Sequence, residues 1–315
     1  MLSRFIPIIV LIAFLQNMQV FAQDYNKYRS YTTTAFNLLK AKKYKESAAT
    51  YENAFEVLNG KGVATDRYNT ACAYALAGNT DKAFYYLFYL AEKVTNKYKK
   101  YDYLKSDNDL VSLHKDSRWA KLLKIVRQNA VSYESKLNKV LVSILDDVFK
   151  EDQKYRKQIA GIAKDYGWDS KQMSDLKATI RKVDSINLIK VKKILNKYGW
   201  LGADVITQQG NTTLFLVIQH SDLKTQEQYL PLLREAVKKG NATPNNLAFV
   251  EDRVAIGKGG KQIYGSQIGR NKETGEFYVL PLVDPDNVNK RRAKIGLGKI
   301  EAYVLSWGIE WKSKN

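Results

Sequence analysis

Apolar residues recur at steps of three and four through most of this chain, and the pattern stops and restarts instead of running on. Such a chain buries one face of each of many short helices against its neighbours. Tyr31 to Leu39 reads as one helix. After a turn at Lys42-Lys43, a second carries Tyr44, Ala48, Tyr51, Ala54 and Phe55. Asn59-Gly60-Lys61-Gly62 ends it, because glycine tolerates the left-handed backbone of a C-cap. Tyr68 to Gly78 is a helix of small residues. Asp81 is expected to cap the next one, which bears Ala83, Phe84, Leu87 and Ala91. Small residues let two helices approach closely, and large aromatics fill the gaps between successive pairs.

The second half follows the same period with more interruptions. Leu137 to Ala163 reads as one amphipathic helix, broken off at Gly167-Trp168. Ser174 to Tyr198 is a long helix that ends at Gly199-Trp200. Leu214-Phe215-Leu216-Val217-Ile218 fits a buried strand or a buried helix equally, since an unbroken apolar run has no period to read. Leu230 to Lys239 and Asn245 to Ile256 are expected helices. In the glycine-rich stretch from Gly257 to Leu282, Ile263-Tyr264 and Phe277 to Leu280 are the expected strands of a hairpin. Asp286 to Ile295 and Lys299 to Leu305 close the chain as helices. The expected fold is therefore mainly α. Helix-turn-helix repeats occupy residues 24–130, and residues 131–315 form a mainly helical domain with a small β hairpin.

The first 22 residues have a different character. Arg4 precedes the eleven-residue apolar run Phe5 to Leu15, and Val20-Phe21-Ala22 supplies small residues for cleavage. This is the layout of a secretory signal peptide, too short to span a bilayer. The expectation is an exported protein, periplasmic or secreted, with no transmembrane span after cleavage. Cys72 is the only cysteine, so no intramolecular disulfide is available and the core must supply the stability. The formal charge of +19 is spread along the chain with no basic tail or block. Lys97, Lys99 and Lys100, like Lys190, Lys192 and Lys193, are interspersed with other residues, as on solvated helix faces. No nucleic-acid partner is expected.

Within the first half, Asn69-Thr70-Ala71-Cys72-Ala73-Tyr74-Ala75-Leu76-Ala77-Gly78 followed by Asp81-Lys82-Ala83 resembles a tetratricopeptide repeat. The unit around Tyr44 and Ala54 is one residue out of the usual spacing. Leu104 to Leu110 and Asp116 to Trp119 resemble the half-repeat that closes such arrays, with Trp119, Leu122 and Leu123 over the open end. The resemblance implies a protein or peptide partner bound through the repeats.

Strong catalytic motifs are missing. There is no His-Glu-x-x-His, and His114 and His220 are the only histidines, so no metal site is expected. Gly257-Lys258-Gly259-Gly260-Lys261 lacks the Ser/Thr and the strand-loop-helix setting of a phosphate loop and reads as a turn. What remains is a set of polar residues at the ends of apolar segments. Gln219-His220-Ser221-Asp222 follows five apolar residues, which puts His220 where a buried segment meets solvent. Glu251-Asp252-Arg253 interrupts the apolar frame of Leu247, Phe249, Val250, Val254 and Ile256. Asp152 and Gln153 lie within one helical turn of Arg156. Gln262, Tyr264 and Gln267 alternate across the expected hairpin, and Arg291-Arg292 follow at a helix start.

Taken in order, these motifs resemble an uncharacterised bacterial domain family over residues 137 to 306. They are joined by Asp184 with Asn187, Gly199-Trp200, Gly265-Ser266, and Gly296-Leu297. Leu201 replaces a common proline and Ser266 a common threonine. That family brings no activity with it. Two readings follow from the residues. In the first, His220, Asp222, Asp252, Arg253, Gln262, Tyr264 and Arg292 line a polar ligand pocket, with Asp152, Gln153 and Arg156 as a second wall and Gln267 beside them. In the second the pocket is enzymatic and hydrolase-like. His220 is then general acid or base, Asp222 or Asp252 orients it, and Arg253 or Arg292 holds an anionic substrate. A buried network that only specifies the fold is a third arrangement of the same groups.

Overall fold

A computed structural model describes residues 24–312. The expected signal peptide lies outside the described residues. The rest is mostly helical and falls into two compact units, divided between Ser135 and Lys136.

The first unit starts with α1 (residues 24–40), α2 (Tyr44–Val57), α3 (Ala64–Leu76) and α4 (Thr80–Phe88). A π turn over Tyr89–Lys93, α5 (Tyr101–Ser106), a 3₁₀ turn over Asn108–Leu113 and α6 (Ser117–Glu134) complete it. α3 packs against both α2 and α4. Ala71, Cys72, Ala75 and Ala83 keep these backbones close, and Tyr28, Tyr51, Phe55 and Phe84 fill the space around them. The cap of α4 is Asn79, whose side chain accepts from the Lys82 amide, and not Asp81, which stands one residue inside the helix. Trp119 is buried with Leu122 and Val126, and the His114 ring stacks on it at 4.5 Å. Burial pushes the Cys72 thiol pKa up, with Asp107 adding to the effect, so this cysteine is a packing residue held protonated.

The second unit is built on α7 (Lys139–Arg156), α9 (Lys171–Tyr198), α10 (Ala203–His220), α11 (Leu223–Lys238) and α12 (Pro244–Gly257). α7 packs against α9 and α10, and α12 against α10 and α11. Leu145, Val148, Val191, Leu214, Ile218, Leu233 and Val250 form the core between them. α10 packs tightly on α7 at Gly210, where an added Cβ would meet Leu145 Cδ1 at 3.2 Å. Leu214 to Ile218 is helical, so the ambiguous run resolves as the middle of α10. The single helix expected over residues 137–163 is two, because the chain turns at Lys157-Gln158 before α8 (Ile159–Tyr166). Gly257 to Lys261 is the end of α12 and a turn, with Gly259 at φ +75°.

The hairpin pairs β1 (Ile268–Arg270) with β2 (Phe277–Val279), antiparallel, Ile268 opposite Val279. Ile263-Tyr264 is not its first strand. The amides of both residues donate to the Asp252 carboxylate and are therefore unavailable to a ladder. α13 (Val288–Lys294) and α14 (Ile300–Leu305) follow. Arg291-Arg292 lie in the last turn of α13, not at its start. Among the described residues no helix is long and apolar enough to cross a membrane.

Candidate functional site

Asp152 falls on the face of α7 that meets α10, one turn before the helix ends, and is only 1% exposed. Its Oδ1 lies 3.0 Å from His220 Nδ1 and 3.1 Å from Arg156 Nη1, and Gln153 Nε2 donates to its Oδ2 at 2.7 Å. Arg156 reaches on from α7 to α9, where Nη2 meets Asp184 Oδ2 at 2.8 Å. Burial alone raises the Asp152 pKa. His220, Arg156 and Gln153 outweigh it, so the carboxyl stays below the ordinary value and is ionised near neutral pH.

His220 is the last residue of α10, half-buried at the helix terminus. An ionised Asp152 can only accept, so Nδ1 carries a proton towards it and Nε2 is the nitrogen left for other partners. Nε2 has no hydrogen-bond partner among the described residues and is not one of their buried orphan atoms, so it reaches solvent. An aspartate behind the ring and an open nitrogen in front suit acid–base work.

The backbone carbonyl of Gln219, the preceding residue, accepts from Gln226 Nε2 at 3.0 Å and from Arg253 Nη1 at 2.8 Å. Arg253 Nε donates to Gln267 Oε1 at 3.0 Å. The Gln267 amide in turn donates to Gln262 Oε1, and Gln262 Nε2 donates to the carbonyls of Gln267 and Leu280. Arg253 and Gln267 thus connect the histidine end of α10 to the start of the hairpin.

The other anticipated residues have different partners. Asp252 is fully buried, and its oxygens accept from the amides of Ile263, Tyr264 and Ser266 at 2.6 to 3.2 Å. It pins a loop and does not orient His220. Arg292 is buried too and donates to the Gly298 and Tyr264 carbonyls, stapling that loop to α13. Asp222 is the N-cap of α11, with Oδ1 accepting from the Thr225 amide at 2.8 Å. That cap holds its carboxyl below the usual range and leaves it no part in orienting the imidazole. Burial raises the Tyr264 phenol. The residue behind His220 is Asp152, expected on a second wall of the pocket. Asp184, Gln219 and Gln226 were not anticipated as site residues; Asp184 and Gln219 stood in the motifs without a role.

Asp152, Asp184 and His220 bring ligand-type atoms within 4.8 Å of one another. The Arg156 guanidinium bridges the two carboxylates where a cation between them would sit. Cys72, Asp107 and Asp109 form a similar group in the first unit, where Asp107 already accepts the Tyr68 hydroxyl at 2.7 Å.

The second unit is thus a mostly helical domain with a half-buried Asp–Arg–Asp bridge, anchored on the buried Asp152, and one histidine beside it. Residues 140–309, more than half of the chain, match the family of unknown function DUF6624, and the chain belongs to that family. No curated protein and no solved structure matches the chain.

Proposed function

We propose that the second unit is an acid–base site for an anionic ligand or substrate, with His220 Nε2 as the group that takes and returns the proton. The observation that carries this is Asp152 on Nδ1 at 3.0 Å with Nε2 left open to solvent. Asp152 is the orienting group, and Arg156 and Gln153 position it. A hydrolytic reaction on an anionic substrate fits this arrangement, with His220 activating water. A ligand pocket without chemistry uses the same groups. Asp252, Gln262 and Arg292 belong to the scaffold on either reading, because the hydrogen bonds they make hold backbone groups of the 262–267 loop and its neighbours.

The same proposal makes the chain an exported protein, periplasmic or secreted, on the strength of Arg4, the apolar run to Leu15 and Val20-Phe21-Ala22. The first unit is then a tetratricopeptide-like module for a protein or peptide partner. The support is the Asn69 to Gly78 motif together with the close packing of α3 on α4.

Carbethoxylation tests the proton-carrying role, because the reagent acylates a neutral imidazole nitrogen that it can reach. Peptide mass mapping of the folded protein should find His220 modified readily. No reaction at His220 in the folded protein, with full reaction after unfolding, would sink the proposal in favour of a purely structural network. His220→Ala should lower stability by no more than about 1 kcal/mol, against about 1–3 kcal/mol if its hydrogen bond is a structural necessity.

A further inference from the structure

Three buried or half-buried guanidinium groups belong to this region, and of the three only Arg156 is ion-paired among the described residues. Arg156 is paired with Asp152 at 3.1 Å and Asp184 at 2.8 Å. Arg292 lies over the Tyr303 ring at 5.1 Å, and Asp252 and Glu301 both act on its charge. Arg292 donates only to the neutral Gly298 and Tyr264 carbonyls, as Arg253 does to neutral groups, but it is buried beneath Tyr303, whereas Arg253 is half-buried beside the histidine end of α10. The two hydrogen-bond partners of Arg253, Gln267 Oε1 and the Gln219 carbonyl, are neutral, and it has no carboxylate in ion-pair contact among the described residues. Burial depresses its pKa, Tyr303 offsets this in part, and the like charge of Arg156 adds to the depression.

Nη2 of Arg253 donates to nothing among the described residues and is not a buried orphan, so its N–H groups face solvent. Removing a guanidinium from water costs free energy that an opposite charge ordinarily offsets, and no carboxylate among the described residues is in ion-pair contact with this one. The plane is fixed on two edges, by Gln267 on Nε and by Gln219 on Nη1, so the remaining donors keep one direction. Because Gln219 immediately precedes His220, the guanidinium stands at the same end of α10 as the imidazole.

We infer that Arg253 is the specificity-determining residue of the His220 site and takes the oxyanion end, carboxylate or phosphate, of its ligand. This rests on the acid–base reading of His220. A fixed guanidinium presents N–H donors in the spacing of carboxylate and phosphate oxygens, and its strength in a half-buried setting comes from charge assistance. A cation that only completes the C-terminal carbonyls of α10 is the competing role, and it predicts no ligand.

Titration calorimetry on the full chain decides between them, with inorganic phosphate and acetate as probes and sodium chloride holding the ionic strength constant. One or both anions should bind saturably. Phosphate alone points to a phosphate-bearing ligand, and acetate binding at least as tight points to a carboxylate. Arg253→Gln should weaken the binding about thirty-fold or more, the loss expected when a buried charge partner is removed. Arg253→Lys keeps the charge without the fork and should fall between the two; it also carries the test if the glutamine variant does not fold. His220→Ala should retain binding within about tenfold, since the anion contact is assigned to Arg253. The inference is overturned if neither anion binds, or if binding is unchanged in Arg253→Gln and therefore belongs elsewhere on this basic surface. Failure of His220 to react in carbethoxylation while Arg253-dependent anion binding persists would remove the acid–base reading and leave the anion site standing.

Discussion

Asp152 and Asp252 are aspartates buried to 1% and 0% exposure, and their surroundings give them opposite work. Asp252 accepts only from backbone amides, so its effect is local and structural. Asp252→Ala should leave the amides of Ile263, Tyr264 and Ser266 without their acceptor and cost about 2–4 kcal/mol in a denaturant melt, with the 262–266 loop losing amide protection. Asp152 accepts from side chains that themselves titrate or reach solvent. Its pKa is depressed in the folded protein, so its ionised form adds stability that is complete above the unfolded aspartate value of about 3.9 and is lost as pH falls through the lower folded value. Asp152→Asn should therefore be less stable than the parent by about 1–3 kcal/mol near neutral pH. The gap should close as melts are taken to pH below 4, and a gap independent of pH would contradict the charge assignment. The sequence showed these residues as polar interruptions in apolar frames, which marks burial but not direction. Which of Asp152, Asp222 and Asp252 stands behind His220 depends on how α7 crosses α10, and no local pattern encodes that crossing.

Helix identity was largely legible because a 3.6-residue period survives in each amphipathic segment; breaks and caps were less so. α10 contains a break with no proline or glycine at its centre. Thr207 sits at φ 65°, ψ 165°, a backbone region that favours glycine, and its Oγ1 accepts from the Gly210 amide at 3.1 Å to start the second part of the helix. Strain at a β-branched residue in that region is about 1–3 kcal/mol. Thr207→Gly relieves it and gives up the cap for a few tenths of a kcal/mol, so its melting midpoint should rise. Thr207→Ala keeps the strain and loses the cap, so its midpoint should fall. If both variants melt below the parent, the strain is not there. The hairpin was misplaced for a related reason. Ile263-Tyr264 has strand composition, yet its amides answer a carboxylate on α12, a long-range contact that outweighs β propensity.

The described residues form two units with separate cores, one rich in aromatics and alanine around α3 and one rich in aliphatics around α10. Residues 136–315 expressed alone should fold and unfold in one cooperative step, and limited proteolysis of the whole chain should cut first near residues 128–136. A fragment that stays unfolded would show that the second core depends on the first. Export is read on the whole chain as well: mass spectrometry of protein from a bacterial envelope fraction should give an N-terminus near Gln23, and a full-length cytoplasmic species alone would end that proposal. The composition of the whole molecule also makes the central claim directly measurable, because His114 and His220 are the only histidines. In protein labelled with ¹⁵N at histidine, two sets of ring signals are expected, and His220→Gln assigns them. At alkaline pH, where the imidazole is neutral, two-bond correlations should show His220 protonated on Nδ1 and bare on Nε2, and Asp152→Asn should abolish that preference. A His220 that carries its proton on Nε2, or whose tautomer ignores Asp152, would contradict the account.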